Sequence, residues 1–141
     1  MSGTSRATSE PASNLAELLR MLRPALNEGT FVFATLPHDA DSNALEPLAT
    51  FREQEGLTVV VEEERARLAG LHVLFRAAWI TLTVHSDLQA VGLTAAVAGA
   101  LTRANISCNI IAAAHHDHLF VPVESAGAAI EALKALQREH H

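Results

Sequence analysis

Cysteine, aromatic residues and positive charge are all scarce in this chain of 141 residues. The single cysteine, Cys108, excludes an internal disulfide, and its position in an apolar stretch predicts a small buried residue rather than a nucleophile. With no tyrosine, one tryptophan and five phenylalanines, a core must be packed mainly from Val, Leu, Ile and Ala. Apolar residues make up 49% of the chain, which is ample for such a core.

The charge balance and the lack of long apolar runs exclude two classes of partner. The net charge is −6 and basic residues form no cluster, whereas proteins that bind nucleic acid need a basic surface. No apolar run approaches the roughly 18 residues that span a bilayer, and the N-terminus lacks the apolar core of a signal peptide. We therefore expect a cytoplasmic protein with neither a nucleic-acid nor a membrane partner.

Motifs for catalysis are lacking as well. The sequence contains no P-loop, G-x-G-x-x-G, G-x-S-x-G or C-x-x-C pattern, so neither catalytic residues nor a cofactor are predicted. His115, His116, Asp117 and His118 carry groups that bind zinc or nickel, but their spacing fits no helical or zinc-finger site. On a hairpin, adjacent side chains also point to opposite faces. A polar β-turn is the preferred interpretation, and no metal site is predicted.

The clearest secondary-structure pattern lies between residues 79 and 137. Alternation over residues 79–84 indicates a strand with one buried face. Ser86–Gln89 has the spacing of a capping box, which predicts the start of an Ala-rich helix close to Gly92. The pattern then predicts strands over 107–114 and 119–123, a turn at His116–Asp117 between them, and a helix from Ser125 onward.

The first half repeats this order more loosely. It begins with a helical stripe after Asn14, which Pro24 is expected to end or kink. A strand is predicted at 31–36, at most a short helix at 45–49, strands at 50–53 and 57–61, a helix at 62–69, and a strand from residue 72 that continues into 79–84. This element order, together with the resemblance given below, predicts two βαββαβ units in tandem, which is an α+β fold of the ferredoxin-like type. The second unit lacks a clear last strand, so its open sheet edge must be filled by a partner chain or by the neighbouring half.

The segment HSDLQAVGLTAAVAGALTRANISCNIIAAAHHDHLFVPVESAGAAIEAL resembles an ACT domain, the small ligand-binding regulatory module of amino-acid metabolism. More narrowly, it is similar to a family of short, stand-alone tandem ACT proteins. The likeness is strong over residues 78–137 and looser over 14–77. It implies a first ACT-like domain over 14–77 and a second over 78–141, and the polar, Ser/Thr-rich composition of residues 1–13 predicts a flexible tail before them. It also implies a non-catalytic regulatory module that binds an amino acid. The alternative is an interaction or oligomerisation module whose ligand site is degenerate.

The junction around Gly92 is the ligand site that this resemblance implies. N–H groups at a helix start suit a carboxylate, and glycine lets the backbone approach a ligand closely. Asp87 either caps the helix or receives the ammonium group of the ligand. Asn109, expected on the neighbouring strand, either adds polar contacts or belongs to the sheet surface. The predicted ligand-binding residues are Ser86, Asp87, Leu88, Val91, Gly92, Leu93, Thr94, Asn109 and Ile110.

The Ala-rich helix also bears on assembly, because it is apolar nearly all round. One face is expected to pack on the sheet, through Leu93, Val97, Ala100 and Ala104. The opposite face is small enough for another helix to approach closely, and consists of Ala95, Ala98, Gly99 and Thr102. Burial within the chain and burial against a second subunit are both open. We expect a homodimer or higher even oligomer, through this face or the open sheet edge.

Overall fold

This computed structural model describes residues 11–83 and 91–140, with side chains described from residue 15 onward. Among these residues, the described helices are α1 (Pro11–Arg20), α2 (Glu63–Leu68), α3 (Leu93–Arg103) and α4 (Ala126–Arg138). The strands are β1 (Arg23–Leu26), β2 (Phe31–Leu36), β3 (Ala49–Arg52), β4 (Leu57–Glu62), β5 (Phe75–Thr83), β6 (Asn109–Ala112) and β7 (Asp117–Pro122). Short 3-10 turns lie at Asn43–Leu45 and Val123–Ser125. The α+β class predicted from the sequence is confirmed.

Within the described residues, seven strands form one antiparallel sheet in the order β3-β4-β2-β5-β7-β6, with β1 also paired to β5. The first half contributes β3, β4, β2 and the start of β5. The second half contributes the end of β5, then β7 and β6. Both halves therefore follow the predicted ferredoxin-like plan. In the first half, the first helix of that plan is reduced to the turn at Asn43–Leu45.

Strand β5 belongs to both halves of the sheet. Along one edge, Phe75–Ala77 pair with β2 and Ile80–Thr83 pair with β1. The other edge pairs with β7. Asn27 bridges the gap between β1 and β2, since its backbone N–H and side-chain Nδ2 donate to the Trp79 carbonyl at 2.9 and 3.1 Å. The expected domain boundary between residues 77 and 78 falls inside this strand, and its exact position stays a prediction.

The sheet edge expected to be open in the second half is filled by β1, a strand that the sequence pattern does not reveal. Pro24 neither ends nor kinks α1, because the helix already ends at Arg20 and Pro24 lies in β1 opposite Leu82. Proline is tolerated in a strand that pairs along one side only. Leu19 and Leu22 beside β1 join the buried core of the second half. Of the two predicted alternatives, a segment of the same chain fills the edge.

The hairpin between β6 and β7 turns earlier than the sequence predicts. Ala112 pairs with Asp117, and the Ala113 N–H donates to the His116 carbonyl at 3.0 Å. The turn therefore spans Ala113–His116. Asp117 and His118, predicted in or beside a turn, lie on β7.

The described α-helices all cover the same face of the sheet. Helix α2 packs on a cluster formed by Val32, Ala34, Val59 and Val61, and the other three pack on a cluster that includes Ala78, Ile80, Leu82, Leu119 and Val121. The opposite surface, here called the helix-free face, carries every aromatic residue of the chain: Phe31, Phe33, Phe51, Phe75, Trp79 and Phe120. No helix of the described residues is long and apolar enough to cross a membrane.

Replacing Leu22 by alanine is expected to lower the free energy of unfolding by about 2–5 kcal/mol. Leu22 is 0% exposed within the core of the second half, so its loss leaves a cavity there. Leu26 in β1 is 51% exposed, and Leu26→Ala should change stability by less than about 0.5 kcal/mol. Urea unfolding followed by circular dichroism measures both. Equal stability of the two variants would contradict the docking of this segment in the core.

Candidate functional site

The candidate site is the start of α3, which Gly92 precedes as the N-cap residue. Gly92 has φ +96° and ψ −18°, a left-handed conformation that favours glycine over any residue with a side chain. The predicted helix start close to Gly92 is confirmed. No side chain of the described residues caps α3, although the first turn of a helix carries N–H groups without partners inside the helix. The geometry suits an acceptor placed at this end of α3.

Leu15 of α1 lies directly against Gly92. A Cβ atom built on Gly92 would come within 3.0 Å of Leu15 Cδ2, so a second constraint also favours glycine here. The N-terminal helix therefore packs against the start of α3. The sequence analysis does not include Leu15 among the site residues. Its helical stripe predicts burial, but no local pattern indicates that its partner lies 77 positions later in the chain.

The other predicted site residues at this junction differ in exposure. Val91 is 80% exposed, Thr94 is also exposed, and Leu93 is buried in the core at 4%. A ligand at this end of α3 would thus meet Val91 and Thr94 rather than the Leu93 side chain. Ser86, Asp87 and Leu88 lie outside the described residues.

Asn109 and Ile110 lie farther from the start of α3 than the sequence suggests. Strand β7 lies between β5 and β6, so Asn109 is not on the strand next to β5. Asn109 is in register with Phe120, which pairs with Trp79, and the three share the helix-free face, opposite α3. Ile110 points to the helix side and packs against the core beneath α3 and α4. The roles of both residues in ligand binding stay predictions.

Cys108, just before β6, has an environment that suppresses nucleophilic chemistry. Burial raises the pKa of its thiol to about 11, although a backbone hydrogen bond with Phe120 opposes this shift. The thiol is therefore protonated at neutral pH, and a thiol attacks only as its thiolate. This agrees with the prediction that Cys108 is not a nucleophile, although the residue is partly buried rather than fully buried as predicted.

The histidines in and beside the β6–β7 turn do not converge on a common point. His118 Nδ1 accepts a hydrogen bond from Trp79 Nε1 at 3.1 Å, and the His116 and His118 ring centroids are 6.3 Å apart. Across residues 11–83 and 91–140, no group of three or more His, Cys, Asp or Glu side chains is arranged to hold a metal ion.

The outward face of α3 is at least partly exposed along its length. Ala95 and Thr102 are exposed, and Ala98 and Gly99 are partly exposed. The inward face differs from the prediction in one residue: Leu101 is buried, whereas Ala104 is the exposed C-cap residue. Helix α3 ends at Arg103, so Ala104 cannot continue the inward stripe.

Comparison with known proteins agrees with this architecture. Sequence models of the ACT domain match residues 11–78 and 75–135. The chain belongs to the ACT-domain family and contains two ACT domains in tandem. No curated protein matches it.

Comparison with solved structures finds one protein of similar sequence and others that share only the fold. It is similar to a Vibrio cholerae protein of unknown function, described as a possible transport protein, with 46% identity and a TM-score of 0.83 over 91% of this chain and 99% of the other. Its fold is also similar to that of the ligand-free regulatory subunit of aspartate kinase from Thermus thermophilus, with 14% identity and a TM-score of 0.61 over 80% and 95%. An Agrobacterium tumefaciens protein matches with 16% identity and a TM-score of 0.67 over 82% and 89%. The chain is therefore a small tandem ACT protein whose fold resembles a regulatory subunit.

Two glycine-to-alanine variants within this helix region should shift stability in opposite directions. Gly92→Ala is expected to lower the free energy of unfolding by about 1–2 kcal/mol, because a left-handed residue acquires a Cβ atom and Leu15 must move. Gly99→Ala should raise it by about 0.5–1 kcal/mol, because Gly99 lies within α3 and its new Cβ meets only Arg103 at 3.5 Å. Urea unfolding measures both. A Gly92→Ala protein as stable as the wild type would contradict the described junction.

Proposed function

We propose that this protein is a non-catalytic regulatory module of the ACT type that binds a small molecule, with an amino acid the expected ligand. The observation that carries the proposal is the left-handed Gly92 at the start of α3, where no described side chain occupies the capping position. Backbone N–H groups and the helix dipole favour a carboxylate at such an end. Membership of the ACT-domain family and the likeness to a regulatory subunit support the same function.

The ligand in this proposal lies between backbone and apolar side chains. Its carboxylate receives hydrogen bonds from the first turn of α3, next to Thr94, and its carbon atoms contact Val91 and Leu15. Ser86, Asp87 and Leu88 are proposed to complete the site, with Asp87 available for the ammonium group. No metal, cofactor or nucleic acid takes part, and the proposed location is the cytoplasm.

The alternative function is an interaction module whose ligand site is degenerate. One observation favours it: Leu15 packs so closely on Gly92 that part of the space beside the glycine is taken by the chain itself. In that case Leu15 and Gly92 serve to dock α1 on α3. The two functions differ in whether any amino acid stabilises the folded protein.

Assembly as a homodimer or higher even oligomer is the second part of the proposal. Strand β1 already pairs with the edge of β5 that was expected to be open. The outward face of α3 is therefore the better candidate for the surface at which a second chain binds. Ala95, Ala98 and Gly99 would let a second helix approach closely, and the exposed Val91 extends the same apolar surface toward the ligand site. Ligand binding and assembly would then be coupled, each strengthening the other by the same factor.

An amino acid that binds this site should stabilise the protein in a thermal-shift screen of the standard amino acids. At a concentration 100 times Kd, the expected gain is about 2.7 kcal/mol, which raises Tm by several degrees. Isothermal titration calorimetry then gives Kd for each hit. If no amino acid stabilises the protein at millimolar concentration, the ligand part of the proposal is wrong and the interaction module is favoured.

A matched pair of variants at Val91 locates the binding. Val91→Glu places a carboxylate beside the proposed ligand carboxylate and should weaken binding by about tenfold or more. The fold should not suffer, because Val91 is 80% exposed and a negative charge near a helix start is favourable. Val91→Gln has similar size without the charge and should retain binding. If the two variants bind the ligand with equal affinity, the ligand binds at another site.

Gly99→Arg is expected to convert the oligomer to a monomer in sedimentation-velocity experiments at micromolar concentration. The arginine side chain stands on the outward face of α3, where it blocks close helix approach without entering the core. Gly99→Ala is the control and should remain assembled. A wild-type protein that sediments as a monomer at high micromolar concentration would contradict assembly altogether. If the Gly99→Arg variant remains an oligomer, the interface lies elsewhere on the protein.

A further inference from the structure

Trp79, His118 and His116 form a cluster on the helix-free face of the second half. Thr81 pairs with His118 and Trp79 pairs with Phe120, so the indole and the His118 ring are diagonal neighbours on adjacent strands. Their ring centroids are 5.8 Å apart, and Trp79 Nε1 donates to His118 Nδ1 at 3.1 Å. His116, which precedes β7, has its own ring 6.3 Å from that of His118.

This hydrogen bond fixes the protonation state of His118. The indole nitrogen of tryptophan is only a donor, so His118 Nδ1 must accept and cannot carry a proton. The neutral ring then carries its single proton on Nε2. A second proton can be added only at Nδ1, where it would face the Trp79 N–H. Protonation of His118 and the Trp79 hydrogen bond are therefore mutually exclusive.

The surroundings of His118 favour its neutral form. Burial lowers the pKa of His118, the positive charge that His116 can carry lowers it further, and the carboxylate of Asp117 opposes both effects. From β5 the facing side chains are Trp79 and Thr81, and β6 presents Ile111, so neither strand adds a charge. Beyond β5, on β1, the charged residue Arg23 lies on this face, opposite Thr83.

The Trp79 indole also holds other aromatic residues in place. It packs edge-on against Phe31 with ring centroids 5.3 Å apart, and Phe31 is paired with Ala77 where β2 meets β5. Phe33 packs on Phe75 and Phe120 in the same cluster. A change in the position of the Trp79 side chain would therefore alter the packing where the two ACT domains share β5.

We propose that His118 is a proton-dependent latch on Trp79: the neutral ring holds the indole and the aromatic layer around it, and uptake of a proton at Nδ1 releases them. Because the folded protein disfavours the proton, the unfolded chain takes it up first as the pH falls. The stabilisation from the neutral ring is complete above the ordinary histidine pKa of 6.5 and is lost as the pH falls from there through the lower pKa of the folded state. The latch is thus closed above the ordinary histidine pKa and opens at a pH below it.

The single tryptophan makes this latch directly observable, because the indole N–H gives one cross-peak in a proton–nitrogen correlation spectrum. Titration from about pH 8 to about pH 5 should shift this peak toward the position of a free indole, with a midpoint below 6.5. Tryptophan fluorescence should fall over the same range, since a protonated imidazole quenches a neighbouring indole. A peak that does not move over this range in the folded wild-type protein would overturn the proposal.

Two variants assign the titration to His118. His118→Asn keeps an acceptor near the position of Nδ1 but does not titrate, so the indole peak should stay constant. His116→Gln removes the neighbouring positive charge and should move the midpoint toward 6.5. An unchanged titration in His118→Asn would overturn the proposal, because the proton would then bind elsewhere. Circular dichroism at each pH confirms that the fold persists, which separates latch opening from acid unfolding.

Discussion

The pairing of β5 with three other strands is the constraint on which the architecture depends. Phe75–Ala77 complete the sheet of the first ACT domain, and the rest of the strand opens the second. A shared strand fixes the two domains in one continuous sheet, because any rotation between them would break main-chain hydrogen bonds of the same strand. The Asn27 side chain, which lies between β1 and β2, donates hydrogen bonds to Trp79 and Thr81 of β5.

The continuous sheet also explains why the two faces differ so much. Side chains alternate along each strand, so every residue of β5 is assigned either to the helix side or to the helix-free face. Ala78, Ile80 and Leu82 are buried beneath helices, whereas Ala77 and Trp79 belong to an aromatic layer in which the rings bury one another. Five of the six aromatic residues of the chain are thus concentrated at one place, across the boundary between the domains, whereas Phe51 is 72% exposed on β3.

The candidate site is built from two distant parts of the chain. Gly92 adopts a left-handed conformation at the start of α3, and Leu15 reaches it from the N-terminal helix. The segment that completes the sheet of the second domain therefore also packs on the start of α3. Any change that loosens α1 and β1 must alter both the edge of β5 and the surroundings of Gly92.

Local patterns in the sequence determined most of the elements. Alternation identified β5, the apolar run FVFATL identified β2, and the glycine beside an Ala-rich segment located the start of α3. These signals arise because each element must bury one face or change direction at a residue that permits it. They were sufficient to predict the α+β class, whereas the prediction of a tandem repeat also depended on the resemblance to ACT domains.

Only the tertiary structure decided which distant segments meet. Four residues that include Pro24 carry no strand pattern, and β1 forms because the edge of β5 offers main-chain partners. Asn109 and Trp79 share a face because β7 lies between their strands, and Leu15 meets Gly92 because α1 docks on the second core. Periodicity indicates which face of its own helix or strand a residue lies on. Contacts between elements depend on strand order and packing, which no local sequence pattern contains.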